Sequence, residues 1–323
     1  MPLDRRDFIR LTAFAALGQA VSAPGSAAAD DLRVVHVLEV PTDGAKSVLY
    51  AQRAGLFRKH GIQADIEPLG SGAAIFAAVL GSSADFGSGS LFPVFAAYAR
   101  GVPLRIVAPA SLYSSDHSDT LMLVQKDAPI HAPRDLNGKV MGADAPNDIY
   151  VTSVRAWLDA NGGDGKSLHT IELNAAQQLA ALNGGRIDAA VLKPPFLTVA
   201  LDSGKFRVLG KPLDVIAPRF LLSCWVASED YIAKNADTVT GFVAGLTEAA
   251  RYTNPHQDQT VDMVAGFTKQ DPAQLRHGVR SITADAISLA DLQRPLDFAV
   301  KAGILERTFD VSGILASSVP LTR

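Results

Sequence analysis

The sequence has one cysteine, Cys224, in 323 residues. No internal disulfide is possible, and no Cys/His cluster has the spacing of a metal site. A basic excess is also missing: the formal net charge is −3, so the chain lacks the electrostatic footprint of a nucleic-acid binder. No stretch is long and apolar enough to span a bilayer, because the one near the start is broken by Thr12, Gly18 and Gln19. What is there is a globular composition, 48% hydrophobic and 20% charged, which is enough core for one large or two medium domains.

Two Gly/Ser stretches, "GSGAAI" (70–75) and "GSGSLF" (87–92), each run into an apolar helical segment. Neither has the lysine of a phosphate-binding P-loop. Neither has the third small residue of a dinucleotide fingerprint: Ile75 and Phe92 stand there. They read either as plain strand-to-helix turns or as places where a ligand approaches bare backbone at a helix start.

The first thirty residues read as an export leader. "DRRDFIR" (4–10) precedes a short apolar run and an Ala27-Ala28-Ala29 exit. The Arg5-Arg6 pair resembles a twin-arginine signal. The alternative is an amphipathic first helix. No Cys follows the exit to carry a lipid, and the mature chain is expected to start near Asp30.

From residue 32 to about 210, strand and helix patterns alternate, which implies parallel sheets with ligand sites outside the carboxyl ends of the strands. The order repeats about 103 positions later. "RAGLFRKHGIQADIEPL" is echoed by "RAWLDANGGDGKSLHTIEL", and "AAVLGSSADFGSGSLF" by "LAALNGGRIDAAVLKPPF", with Asp188 answering Asp85. This predicts an α/β fold of two similar lobes whose equivalent loops face one another. Two strand-like runs, 119–127 and 219–228, are expected to be the crossings. The first lobe is then discontinuous (30–118 and 226–323), the second is 119–225, and 1–29 is the leader.

An export signal followed by "AQRAGLFRKHGIQADIEPLGSG", "ADFGSGS", "DLNGKVMGA" and "ALNGGRIDAAVLKPPF" resembles the nitrate/sulfonate/taurine-type substrate-binding proteins of ABC importers, with relatives that bind pyrimidine precursors of thiamine. The resemblance covers nearly all of residues 32–305. It implies the type II periplasmic-binding-protein fold, two α/β lobes joined by two hinge strands and closing on a small ligand. It also implies a periplasmic, monomeric protein without cofactor or metal, whose partners are the ligand and an ABC permease with its ATPase on the cytoplasmic side. No nucleic-acid partner is expected.

The candidate ligand residues follow strands in this pattern. They are Thr42, Asp43, Lys46 and Ser47; Gly70, Ser71 and Gly72; Ser88, Gly89 and Ser90; Asn147, Asp148 and Tyr150; and Lys193, Pro194 and Pro195. Tyr113 and Trp225, near the expected crossings, are candidate ring contacts. The family often has an aromatic-Pro pair where this chain has Lys193-Pro194, which puts a positive charge there instead of a ring. Each candidate has a structural alternative. Lys46 and Lys193 read equally as surface lysines, Asp148 as a helix cap, Trp225 as core, and Tyr150 as packing on its own helix. The serines, helix starts and lysines favour a small anionic ligand, a sulfonate or carboxylate. Asp43 and Asp148 oppose a densely charged anion and suit an amine or ring N–H.

Enzymes are the rival class. Relatives of this fold make the thiamine pyrimidine with a cysteine cluster, or cleave carbon–sulfur bonds with a nucleophilic Cys beside His and Arg. This chain has only Cys224, inside the apolar run "LLSCWV", where a buried inert thiol is expected. No Gly-x-Ser-x-Gly elbow is present. A binding subunit that docks on a sensor receptor would use the same ligand chemistry as an importer subunit.

Overall fold

The computed structural model describes residues 32–146 and 148–322. The expected leader and the candidate Asn147 lie outside the described residues.

Short apolar segments bounded by Gly, Pro and Ser form the strands. In chain order they are β1 (Arg33–Glu39), β2 (Ile62–Pro68), β3 (Phe86–Ser90), β4 (Leu104–Pro109), β5 (Ser111–Ser114), β6 (Leu121–Gln125), β7 (Val140–Ala143), β8 (His169–Glu172), β9 (Ala189–Leu192), β10 (Phe206–Gly210), β11 (Arg219–Leu221), β12 (Ser223–Ser228) and β13 (Ile282–Thr283). Between them run α1 (Lys46–Arg53), α2 (Gly72–Leu80), α3 (Leu91–Ala99), α4 (Ile149–Ala160), α5 (Ala175–Asn183) and α6 (Phe196–Asp202).

The strands make two five-stranded sheets of the same topology. The first has the order β2-β1-β3-β12-β4 and the second, read from its far edge, β8-β7-β9-β6-β10. β1 is parallel to β2 and β3, as β7 is to β8 and β9. β12 runs antiparallel between β3 and β4, as β6 does between β9 and β10. The sheets are therefore mixed, not purely parallel: each receives one strand from beyond its own βα run.

The sequence repeat is visible as a repeated contact. Asp85 Oδ2 accepts the His36 amide at 2.8 Å, and Asp188 Oδ2 accepts the Val140 amide at 2.8 Å. Each carboxylate ties the turn before β3 or β9 to the neighbouring strand, β1 or β7.

The crossings differ from the expectation. Residues 121–125 and 223–228 are sheet strands, and the expected lobe boundary at 225/226 falls inside β12. The chain instead passes between lobes at β5 and β11, which pair antiparallel, with β13 on the other side of β5. The reason is periodicity: an apolar run marks a strand but does not say which sheet it joins.

The first lobe's core is centred on an aromatic stack. Phe242, from the helix Ala236–Thr253, lies 3.9 Å from Phe86 and 5.1 Å from Phe57, ring to ring, with Trp225 edge-on at 5.5 Å. Phe57, Phe86 and Phe242 are wholly buried. Offset stacking and large apolar area make such residues the strongest contributors to a core. Phe242→Ala is expected to destabilise the fold by about 3–5 kcal/mol, the usual result of removing a buried ring. Chemical denaturation checks this, and a loss below about 1 kcal/mol would mean that the stack is not central.

Candidate functional site

The carboxyl ends of the two sheets face each other across a cavity. Its walls come from both lobes: Thr42 after β1, Ser71 and Gly72 at the start of α2, Ser88 to Ser90 at the end of β3, and Asp144, Asp148, Tyr150 and Lys193 from the second lobe. The space open inside it is about 70 Å³. A water needs about 10–15 Å³ on this measure, so the cavity admits a small molecule.

On the first wall, helix capping and close packing decide the local structure. Ser71 caps α2 by accepting the Ala74 amide at 3.5 Å. "GSGS" is not a loop but the strand β3. Its glycines are required by α2, which lies across it. A Cβ on Gly89 would stand 2.5 Å from Phe76 Cζ, and one on Gly87 would collide with Ile75. The intervening Ser88 turns away from α2 and donates to Glu39 Oε1 at 2.6 Å. Gly72 approaches Gly89, its Cβ position 3.5 Å from the Gly89 Cα, so the two Gly/Ser stretches form one continuous wall.

On the opposite wall, Asp148 caps α4, accepting the Val151 amide at 2.7 Å, and lines the cavity as well. Lys193 donates to Tyr150 Oη at 3.1 Å and lies 5.1 Å from the Tyr150 ring centre. Asp144 accepts from Gln178 Nε2 at 3.0 Å. The lobes also meet directly. The Asp43 amide donates to the Pro194 carbonyl at 3.2 Å, and His277 Nε2 sits 2.8 Å from Asp202 Oδ2 at the end of α6.

Of the residues singled out from sequence, Thr42, Ser71, Gly72, Ser88, Gly89, Ser90, Asp148, Tyr150 and Lys193 are brought together around this cavity. The others go elsewhere. Asp43 is fully buried behind the wall: Oδ1 accepts from Arg280 Nε at 2.9 Å and Nη2 at 2.6 Å, and Oδ2 from the Ser281 amide at 2.7 Å. Lys46 is equally buried, donating to the Ser281 carbonyl beside Asp43. It is not the surface lysine of the alternative reading. Ser47 donates to Thr283 at 3.0 Å. These three fasten the loop after β1 to the 280–283 segment. Burial raises the pKa of Asp43, but Lys46, Arg280 and the Ser281 amide outweigh it and hold the carboxyl below its ordinary range.

Gly70 is at the cleft edge, facing Asn174 of the second lobe. Tyr113 is wholly buried and donates to Asp214 at 2.6 Å. Trp225 is core, edge-on to Phe242. Pro194 and Pro195 shape the start of α6 without lining the cavity.

Sequence reasoning missed Glu39, Asp119, Asp144, Ser111, Ser223 and Ser281, all of which line the cavity. Glu39 had a signal: it is an acid at the carboxyl end of a strand that is otherwise mostly apolar.

Burial dominates the electrostatics of this site. It pushes the Glu39 pKa up to about 7, against the Ser88 hydrogen bond and the Lys193 charge. It pushes Asp148 up to about 7 as well, with Asp144 adding like-charge repulsion. Asp144 and Tyr150 are raised by the same cause. Lys193 is raised despite its burial, because Tyr150 and Asp144 favour its charged form.

The profile of the family described as NMT1/THI5 like matches residues 45–260. The chain belongs to this family. Two sequence relatives are a Brucella abortus (strain 2308) protein provisionally named a binding protein and an Escherichia coli K12 protein provisionally named an aliphatic sulfonates-binding protein. The first is 24% identical over 78% of this chain and 76% of its own length; the second is 27% identical over 57% of this chain and 55% of its own. The alkanesulfonate-binding protein of Xanthomonas axonopodis pv. citri, solved with MOPS bound, superimposes with a TM-score of 0.70 at 17% identity, covering 88% of this chain and 98% of that one. A desulfurization enzyme shares the fold too, at a TM-score of 0.63 and 16% identity, covering 88% and 96%. The fold expected of a periplasmic binding protein is the one observed.

The Glu39 shift gives a pH prediction. Its folded pKa is raised, so the carboxyl destabilises the fold only where it must ionise. The penalty is absent below the ordinary value of 4.5, grows as pH rises, and is complete above about 7. The gap amounts to about 3 kcal/mol. Glu39→Gln removes the charge and keeps an acceptor for Ser88. Its melting temperature is expected to equal that of the unaltered protein near pH 4 and to exceed it by roughly 3–8 °C at pH 8. Melting curves across this range check it, and an offset independent of pH would contradict it.

Proposed function

We propose that this chain is the extracytoplasmic solute-binding subunit of an ABC importer, capturing a small organic ligand between its two lobes and delivering it to a membrane permease. One observation carries the reading: the cavity is built from the carboxyl ends of two topologically equivalent sheets, so a ligand held there would touch both lobes. Family membership and relatives named as binding proteins support it. A ligand held by both lobes interacts more favourably with the closed arrangement than with an open one, which is the condition for ligand-driven closure. The connections at β5 and β11 are the natural hinge. Export fits the twin-arginine-like leader, and no helix among the described residues is long and apolar enough to cross a membrane.

Binding without chemistry is the reading favoured over catalysis. Cys224 is wholly buried in β12, does not line the cavity, and its thiol pKa is pushed far up by burial. A thiol held protonated is a poor nucleophile.

The test is a thermal-shift screen of sulfonates, carboxylates, nitrate, pyrimidines, amines and amino acids, because a ligand specific to the folded form raises the melting temperature by mass action. A shift from one chemical class is expected, with the compound recovered unchanged by mass spectrometry. Ser71→Ala combined with Ser90→Ala is expected to weaken that compound roughly 5- to 150-fold, the loss of two net hydrogen bonds, without lowering stability by more than about 1 kcal/mol. Turnover of the compound, or unchanged affinity in the double variant, would contradict the reading.

A further inference from the structure

The charges inside the cavity do not balance. Glu39, Asp119, Asp144 and Asp148 line it, and Lys193 is the one cationic side chain among its lining residues. Glu39, Asp119 and Asp148 are each about 95% buried, at 5%, 5% and 4% exposure. The two nearby cations are already engaged, Lys46 and Arg280 both with Asp43. Lys193 makes no ion pair with a carboxylate within 4.0 Å among the described residues; its partner is Tyr150. The one side-chain hydrogen bond to the Glu39 carboxylate comes from Ser88 to Oε1, with the Val40 amide beside it and no cation paired to it within 4.0 Å among the described residues. Asp144, also a lining residue, accepts from Gln178 through Oδ1 and has no cation within 4.0 Å among the described residues. Buried carboxylates in this state are costly unless something positive sits among them.

We infer that the ligand carries a protonated nitrogen with N–H bonds, an ammonium or amidinium group, seated among Glu39 of the first lobe and Asp144 and Asp148 of the second. The inference rests on the binding function proposed above. Among the described residues no group of three or more His, Cys, Asp or Glu is arranged to hold a metal ion, so the inference commits to a nitrogen cation. A quaternary ammonium fits less well, because it offers no N–H to the carboxylates and Lys193 already lies over the Tyr150 ring. Lys193 and the serine hydroxyls remain for an acceptor on the same ligand.

The same charges supply a reason to close. Without ligand, closing over these acids forces them to take up protons or to face one another charged and unpaired, and either cost favours separation. A cation between them reverses the sign of that interaction. It also draws protons off Glu39 and Asp148, so binding strengthens as pH rises toward the range where both ionise unaided. Asp119, Tyr150 and Lys193 are the other titratable groups facing this point, with Lys46, Asp43 and Arg280 behind the first wall.

The experiment incubates the mature protein with a defined mixture of putrescine, ethanolamine, acetamidine, ethanesulfonate, butyrate and nitrate, extended by a library of small metabolites of both charges. Retained compounds are identified by mass spectrometry and their affinities measured by calorimetry from pH 6 to 8. The expected result is retention of a compound with a basic nitrogen, bound at least tenfold more tightly at pH 8 than at pH 6 and at least tenfold more weakly by Glu39→Gln or Asp144→Asn. Retention only of anions without a basic nitrogen would overturn the inference and leave the binding function standing. A melting shift from sodium, potassium or calcium alone would overturn it as well. Retention of nothing would overturn both.

Discussion

A wholly buried carboxylate holds this molecule's site together. Asp43 is wholly buried, and its two oxygens take two donors from Arg280 and one from the Ser281 amide. The partners are 237 positions apart in the chain. Their pairing fastens the loop after β1, which supplies Thr42 to the cavity, to the segment that supplies Ser281. The first lobe is made of two distant stretches of chain, and the pair is one of several contacts that join them. The stacking of Phe242 on Phe57 and Phe86 is another, and β12, which inserts between β3 and β4, is a third. Leaving either member of such a pair alone in the interior would cost several kcal/mol.

From this frame the cavity follows. The two sheets have the same strand order, and both present their carboxyl ends to the shared space. Small residues on β3 let α2 lie close and leave the hydroxyls of Ser88 and Ser90 for the cavity. Helix starts at Ser71 and Asp148 complete opposite walls, though each of these side chains also caps its own helix. Function therefore depends on groups that are partly committed to structure. Under the proposed function, the acids without a cationic partner, above all Glu39 and Asp144, would carry the discrimination between ligands.

Much of this was legible in the sequence. The repeat of Asp85 in Asp188 survives as an identical backbone contact, because a turn of that geometry needs an acceptor at that place. The rule that ligands gather at strand ends placed Thr42, Ser71, Ser88, Tyr150 and Lys193 around one cavity. It failed for Asp43, Lys46 and Ser47. They follow a strand as a ligand residue would, but their partners lie in the 280–283 segment, and nothing local marks a partner that distant. "GSGS" looked like a loop because small residues break the strand pattern, and the helix that demands them was not visible beside it. The crossings were misplaced for the same reason, since an apolar run does not name its sheet.

Under the proposed function, ligand enters only when the lobes part. Gly70 and Asn174 face each other across the cleft, with a Cβ on Gly70 standing 3.7 Å from the Asn174 Cβ. That spacing suits a disulfide. The native thiol, Cys224, is buried and does not compete. The most direct measurement is ligand exchange in the Gly70→Cys, Asn174→Cys variant before and after oxidation. A compound bound before oxidation should survive dialysis, and the same compound added afterwards should give no melting shift, while the reduced protein exchanges freely. Equal exchange in both forms would contradict capture between the lobes.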